Sequence, residues 1–101
     1  MSWAAQAIKT LSEGKPAQIR PRGHSMTGRI NDGDLVTLLP VTDPSVLVVD
    51  TAVLCRVNGK EYLHLITAVQ GNRYLIGNNR GGVNGWTGFR NIYGIVSKVE
   101  R

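Results

Sequence analysis

Ala52-Val53-Leu54-Cys55-Arg56-Val57-Asn58-Gly59-Lys60-Glu61-Tyr62-Leu63-His64-Leu65-Ile66-Thr67-Ala68-Val69 is the stretch whose reading decides the fold. Asn58-Gly59 is the strongest hairpin signal in the chain, because a two-residue turn of this kind needs backbone with positive φ, which Asn and Gly tolerate. The flanks, 52–57 and 62–69, are strand-length and rich in β-branched and apolar residues. In the second arm, alternation puts Tyr62, His64 and Ile66 on one face and Leu63 and Leu65 on the other. A hairpin is therefore predicted at the centre of the chain.

The pattern stays β in both directions. Upstream, 17–20 reads as a short strand ended by Pro21. A second strand, 35–39, follows the turn residues Asn31-Asp32-Gly33 and stops at Pro40. Residues 46–49 run almost continuously into 52–57, interrupted only by Asp50-Thr51. Downstream, Gly71-Asn72 turns the chain into 74–76, a Gly- and Asn-rich segment covers 77–88, and 89–99 reads as the closing strand. One helix precedes all of this, over about 2–13. Trp3, Ala4, Ala7, Ile8 and Leu11 share a face, Ser2 is placed to cap the start, and Gly14-Lys15-Pro16 stops it. The fold expected is mostly β: a compact, curled antiparallel sheet or partial barrel with one N-terminal amphipathic helix, in a single domain over 1–101.

Composition narrows the function. At 101 residues, with 42% hydrophobic and 19% charged residues, the chain has the makeup of one globular domain. A lone cysteine, Cys55, excludes an intrachain disulfide framework and a Cys-based zinc site, and its place in an apolar strand marks it as core. His24 and His64 are the two histidines, so neither a metal site nor a cofactor is expected. There is no uncharged apolar run of the roughly 18 residues a membrane span needs, and no secretory leader pattern, so a cytoplasmic setting is expected. The formal charge of +5 suggests nucleic acid, and the pairs Arg73-Tyr74 and Phe89-Arg90 could stack on bases. The arginines are nevertheless dispersed and no nucleic-acid-binding signature accompanies them, which fits a solvated surface better.

The segment Arg22-Gly23-His24-Ser25-Met26-Thr27-Gly28-Arg29-Ile30-Asn31-Asp32-Gly33-Asp34-Leu35-Val36 carries most of the chemical information. Ser25 lies between Gly23 and Gly28, where backbone can approach a substrate closely. A serine hydroxyl needs a base to become a nucleophile. His24 adjoins Ser25 and in extended backbone points to the opposite face, leaving His64 as the other imidazole. Taken alone, a loop serine ordinarily satisfies local backbone groups and a strand histidine is ordinarily structural. Asp32 and Asp34 read as turn-capping side chains rather than a catalytic pair. Trp86 either anchors the glycine-rich segment or lines a groove.

Ser25-Met26, a short gap and Asp32-Gly33-Asp34-Leu35-Val36 together resemble the Ser-Met…Gly-Asp box of the serine peptidase clan of signal peptidases and SOS and phage repressors. The resemblance continues through Val53-Leu54-Cys55-Arg56-Val57 to Tyr93-Gly94-Ile95-Val96, spanning about 17–99. It implies Ser25 as nucleophile and His64 in the position of the general base. Many of these enzymes use lysine there, whereas this chain has its nearby Lys60 in the turn. Histidine in that position is similar to the signal peptidases of the endoplasmic reticulum, archaea and spore-forming bacteria. It titrates near neutrality and needs less desolvation than lysine to serve as a base. Where those enzymes carry an acid in a Gly-Asp segment, this chain has Gly77-Asn78-Asn79, so Asn78 is expected to orient His64 without lending it charge. Gly23, Ser25 and Met26 are implied at the substrate and oxyanion position.

The function expected is a Ser–His peptidase acting on a peptide or protein substrate held extended along an edge strand, with small residues in shallow pockets. A free-standing bacterial or phage form is expected. Neither a membrane anchor nor a preceding DNA-binding domain is expected, and the sequence contains no Ala-Gly or Cys-Gly pair for self-cleavage. Two alternatives stand beside it: a binding module of the same fold without activity, and a small basic β-barrel that binds nucleic acid. A homodimer is left open.

Overall fold

The computed structural model describes residues 3–101. Helix α1 spans Ala5–Ser12, and seven strands follow: β1 Ala17–Ile19, β2 Leu35–Pro40, β3 Ala52–Val57, β4 Lys60–Gln70, β5 Arg73–Gly77, β6 Val83–Gly88 and β7 Ile92–Glu100. All seven lie in one sheet, in the order β1-β2-β7-β3-β4-β5-β6, and every neighbouring pair is antiparallel. The chain is thus mostly β, with one helix and a sheet curled into a half-barrel. No helix among the described residues is long and apolar enough to cross a membrane.

The central hairpin forms as its sequence requires. Asn58 and Gly59 both take positive φ, 49° and 81°, and register runs from Val57 opposite Lys60 to Ala52 opposite Leu65. The alternation in β4 then separates two cores. Leu63 and Leu65 join Ala4, Ala7, Leu11, Val36, Leu38 and Leu54 under the helix. Ile66 joins Val53, Cys55, Val57, Tyr74, Ile76 and Ile92 on the other side, with Tyr62 packed against them. Helix and sheet meet closely at Gly94, where an added Cβ would stand 2.9 Å from Leu11 Cδ1 and 3.0 Å from the Leu39 carbonyl oxygen.

Three expectations need correction, and one lies outside the described residues. The helix begins later than 2–13; Ala4 stands at its N-cap position with no capping side chain, and the Ser2 cap falls on an undescribed residue. Residues 46–49 are not strand. Pro44 opens one 3-10 turn, Pro44–Val46, capped by Asp43, which accepts from the Ser45 N–H at 3.0 Å. Only Leu47 of that apolar run is buried, and Asp50 at φ 75° redirects the chain into β3. Finally, the closing strand does not begin at 89, because a 3-10 turn at Phe89–Asn91 precedes it; the second half of the Gly- and Asn-rich segment forms β6.

Candidate active site

The connection between β1 and β2 is wound tightly on itself. The His24 carbonyl accepts from the Thr27 N–H at 3.2 Å and from Thr27 Oγ1 at 2.8 Å, and the Met26 carbonyl accepts from the Arg29 and Ile30 N–H groups at 3.0 and 2.8 Å. Gly23 and Gly28 take φ of 108° and 97°, a region β-carbons disfavour, so the turns around Ser25 close at these two points. Met26 and Ile30 drive this segment into the helix-side core. The acidic turn serves the backbone, as its composition suggests. Asp32 Oδ1 accepts from the Gly23 N–H at 2.7 Å, and Asp34 Oδ2 accepts from the Asn31 N–H at 2.9 Å.

This winding places the half-buried Ser25 hydroxyl against β4. Ser25 Oγ lies 2.9 Å from His64 Nε2, although 39 residues separate the two in sequence. His64 is 7% exposed, opposite Val53 in the β3–β4 ladder and beside the Tyr62 ring, with centroids 5.0 Å apart. Its Nδ1 is 2.6 Å from Asn84 Oδ1. With that carbonyl oxygen facing the ring, Nδ1–H donates to Asn84, and Nε2 carries the lone pair that accepts the Ser25 hydroxyl proton. Burial draws the His64 imidazole below its ordinary value of 6.5, and the Asn84 hydrogen bond opposes that shift in part. The ring is therefore neutral at pH 7, as a base must be before it acts.

The expected role of Asn78 is overturned. Asn78 Oδ1 accepts from the Arg80 and Gly82 N–H groups at 2.9 and 2.8 Å, closing the turn between β5 and β6. Asn84 orients His64 instead. Ile76 pairs with Gly85 and Gly77 with Val83, which leaves Asn84 as the extra residue of a bulge. A bulge re-aims the side chain it carries. Gly77, in β5 between β4 and this point of β6, has no room for a side chain, since an added Cβ would stand 2.6 Å from the Gly82 carbonyl oxygen and 3.1 Å from Thr67 Cγ2. Asn79, the third asparagine of the segment, holds the turn that carries Ser25: its N–H donates to the Ser25 carbonyl at 3.0 Å and its Nδ2 to the Thr27 carbonyl at 2.9 Å. Sequence spacing gave no sign that Asn84 would be chosen over Asn78, because the choice depends on the bulge.

The oxyanion expectation is also revised. The Gly23 N–H is committed to Asp32 and cannot serve an oxyanion, whereas the Ser25 N–H has no acceptor among the described residues. Met26 contributes a buried side chain to the cavity beside the dyad. That cavity, about 330 Å³, is bounded by residues including Ser25, His64, Met26, Tyr62, Leu63 and Trp3. His24 is exposed and contributes only its carbonyl to the turn, and Lys60 is exposed at the first position of β4. Cys55 is fully buried, and burial pushes its thiol up to about 12, which leaves it inert. Trp86 lies on β6 opposite Leu75, away from the cavity lining. Among the described residues no three His, Cys, Asp or Glu side chains gather as a metal site would require.

Among the described residues four cations face carboxylates: Arg22 with Asp32 at 3.9 Å, Arg29 with Asp50 at 3.8 Å, Arg56 with Glu61 at 2.8 Å and Lys98 with Glu100 at 2.7 Å. Arg20 donates to the neutral Gly33 carbonyl at 2.9 Å, and Arg29 also to the Asp50 backbone carbonyl at 2.9 Å. No protein-family model matches the chain, and no curated protein matches it either.

Proposed function

We propose that this chain is a serine hydrolase of the signal-peptidase and repressor type that cleaves peptide bonds with a Ser25–His64 dyad. The observation that carries the reading is the 2.9 Å contact between Ser25 Oγ and the buried, neutral His64 Nε2, with Nδ1 held by Asn84. As Ser25 Oγ attacks the scissile carbonyl carbon, Nε2 takes the hydroxyl proton. The resulting oxyanion receives the Ser25 N–H. Collapse of the tetrahedral intermediate breaks the C–N bond, and the imidazolium gives its proton to the leaving amine. Water then attacks the acyl ester with His64 again as base, and the acid is released as Ser25 recovers its proton.

Asn84 fixes the tautomer and ring direction, the part of an orienting residue's work that needs no charge. The imidazolium formed in each step lacks a carboxylate partner, so a slower enzyme than a Ser–His–Asp triad is expected. The test is incubation of the purified chain with a diverse peptide library, with Ser25→Ala alongside. Cleavage by the native chain and none by Ser25→Ala supports the reading. Cleavage by neither leaves a peptide-binding module on the same fold, and equal cleavage by both removes Ser25 as nucleophile.

A further inference from the structure

The cavity beside Ser25 is large for the small-residue pockets that the sequence resemblance implies. A volume of about 330 Å³ lies at the lower end for sites that accept drug-sized ligands, and would hold about ten waters at bulk density. Buried Met26, Ile30 and Leu63 supply an apolar floor, and the ring of Tyr62 lies beside His64 on the same strand. Arg20, Arg22, Asn31 and Glu61 supply the smaller polar part of the lining. Trp3 completes the lining from the chain segment entering α1. It is 54% exposed, in contrast to Ala4, Ala7 and Leu11 on the same helical face, which are buried. An indole left half in water where its neighbours pack is poorly explained as core, and well placed to cover an apolar group entering from solvent. A methyl side chain would leave most of this lining in contact with water, whereas a Leu or Phe side chain would displace it.

We infer that this cavity is a specificity pocket for a large apolar or aromatic side chain flanking the scissile bond, with Trp3 as the residue that closes over it. The inference rests on the hydrolase reading for its meaning, but its test separates the two. The full chain carrying Ser25→Ala is titrated calorimetrically with capped octapeptides identical except for Phe, Leu or Ala at one position, moved along the peptide. The best Phe or Leu peptide should bind about tenfold or more tightly than its Ala counterpart. Adding Trp3→Ala should cut that ratio by roughly threefold or more, and Trp3→Phe should restore most of it, with the far-ultraviolet circular dichroism unchanged. Equal binding of the three peptides, binding of none, or a ratio indifferent to Trp3→Ala overturns the assignment. The native chain then receives the same peptides, and cleavage is read by mass spectrometry. Selective binding of Phe or Leu peptides without cleavage removes the hydrolase reading and keeps the pocket. Cleavage that favours Ala removes the pocket and keeps the hydrolase.

Discussion

Asn84 Oδ1 stands 2.6 Å from His64 Nδ1, so a neutral amide on a bulged strand occupies the place where an acid would both orient and charge-stabilise the imidazole. Orientation and charge can therefore be separated by substitution. Asn84→Ala removes both the acceptor and the tautomer lock, and kcat should fall by about 10- to 100-fold with KM little changed. Asn84→Asp keeps the acceptor and adds charge beside the ring, which favours imidazolium. That variant should be faster by about tenfold, and the acid limb of its pH profile should move to higher pH. Steady-state kinetics on a cleaved peptide checks both.

Because burial draws the His64 imidazole below 6.5, the ring should stay deprotonated into mildly acidic solution, and under the proposed mechanism it remains available as a base there. The acid limb of kcat/KM should therefore have its midpoint below pH 6.5. Stability follows the same group with a definite sign. As pH falls below about 6.5 the unfolded chain binds a proton at this position before the folded chain does, so His64 lowers folding stability toward acid and not toward base. Urea midpoints measured from pH 8 to pH 5 should fall on the acid side, and His64→Gln should flatten that part of the decline.

The hairpin at Asn58-Gly59 was legible because turn chemistry and strand alternation are local. The same alternation placed His64 on the face opposite Leu63 and Leu65, as the two cores bear out. Pairing Ser25 with His64 needed more than local rules; it came from the order of landmarks in the resemblance. What failed was non-local or special in backbone. Val83–Gly88 has glycine at 85 and 88 and no apolar stripe, so its strand exists only through pairing with β5. Residues 46–49 have strand composition, yet Pro44 and positive φ at Asp50 hold them in a turn. Asn78 and Asn84 differ in role through one bulge, a feature that no residue type announces.

Gly94 offers a test of the packing beneath the site. An added Cβ would press on Leu11 Cδ1 at 2.9 Å, a flexible methyl, but also on the Leu39 carbonyl oxygen at 3.0 Å, which belongs to the neighbouring strand. Relief requires moving α1 or the β2–β7 ladder. Gly94→Ala should cost roughly 1–3 kcal/mol in urea denaturation. Gly59→Ala meets no neighbouring atom, and its strain comes only from φ at 81°. Its cost should be about 1 kcal/mol, the scale of an Ala forced into left-handed backbone.

The Asn79 hydrogen bonds predict a variant that loses rate more than stability. Its N–H to the Ser25 carbonyl survives any side-chain change, but Nδ2 to the Thr27 carbonyl does not. Asn79→Asp has nearly the same shape and lacks the donor, so it leaves the Thr27 carbonyl facing a carboxylate. Asn79 is exposed, and water can replace the lost partner at Thr27, so the melting temperature should change little. The nucleophile turn, however, loses one of its two ties to the β5–β6 connection, and the Ser25 hydroxyl samples positions farther from His64. A drop in kcat of roughly 3- to 30-fold is expected for Asn79→Asp and Asn79→Ala alike, with KM nearly constant. In Asn84→Ala, where the His64 ring is already misdirected, the same substitution should cost less than it does in the native chain. A double-mutant cycle on kcat measures that difference. Full additivity would mean that Asn79 does not act through the Ser25–His64 contact.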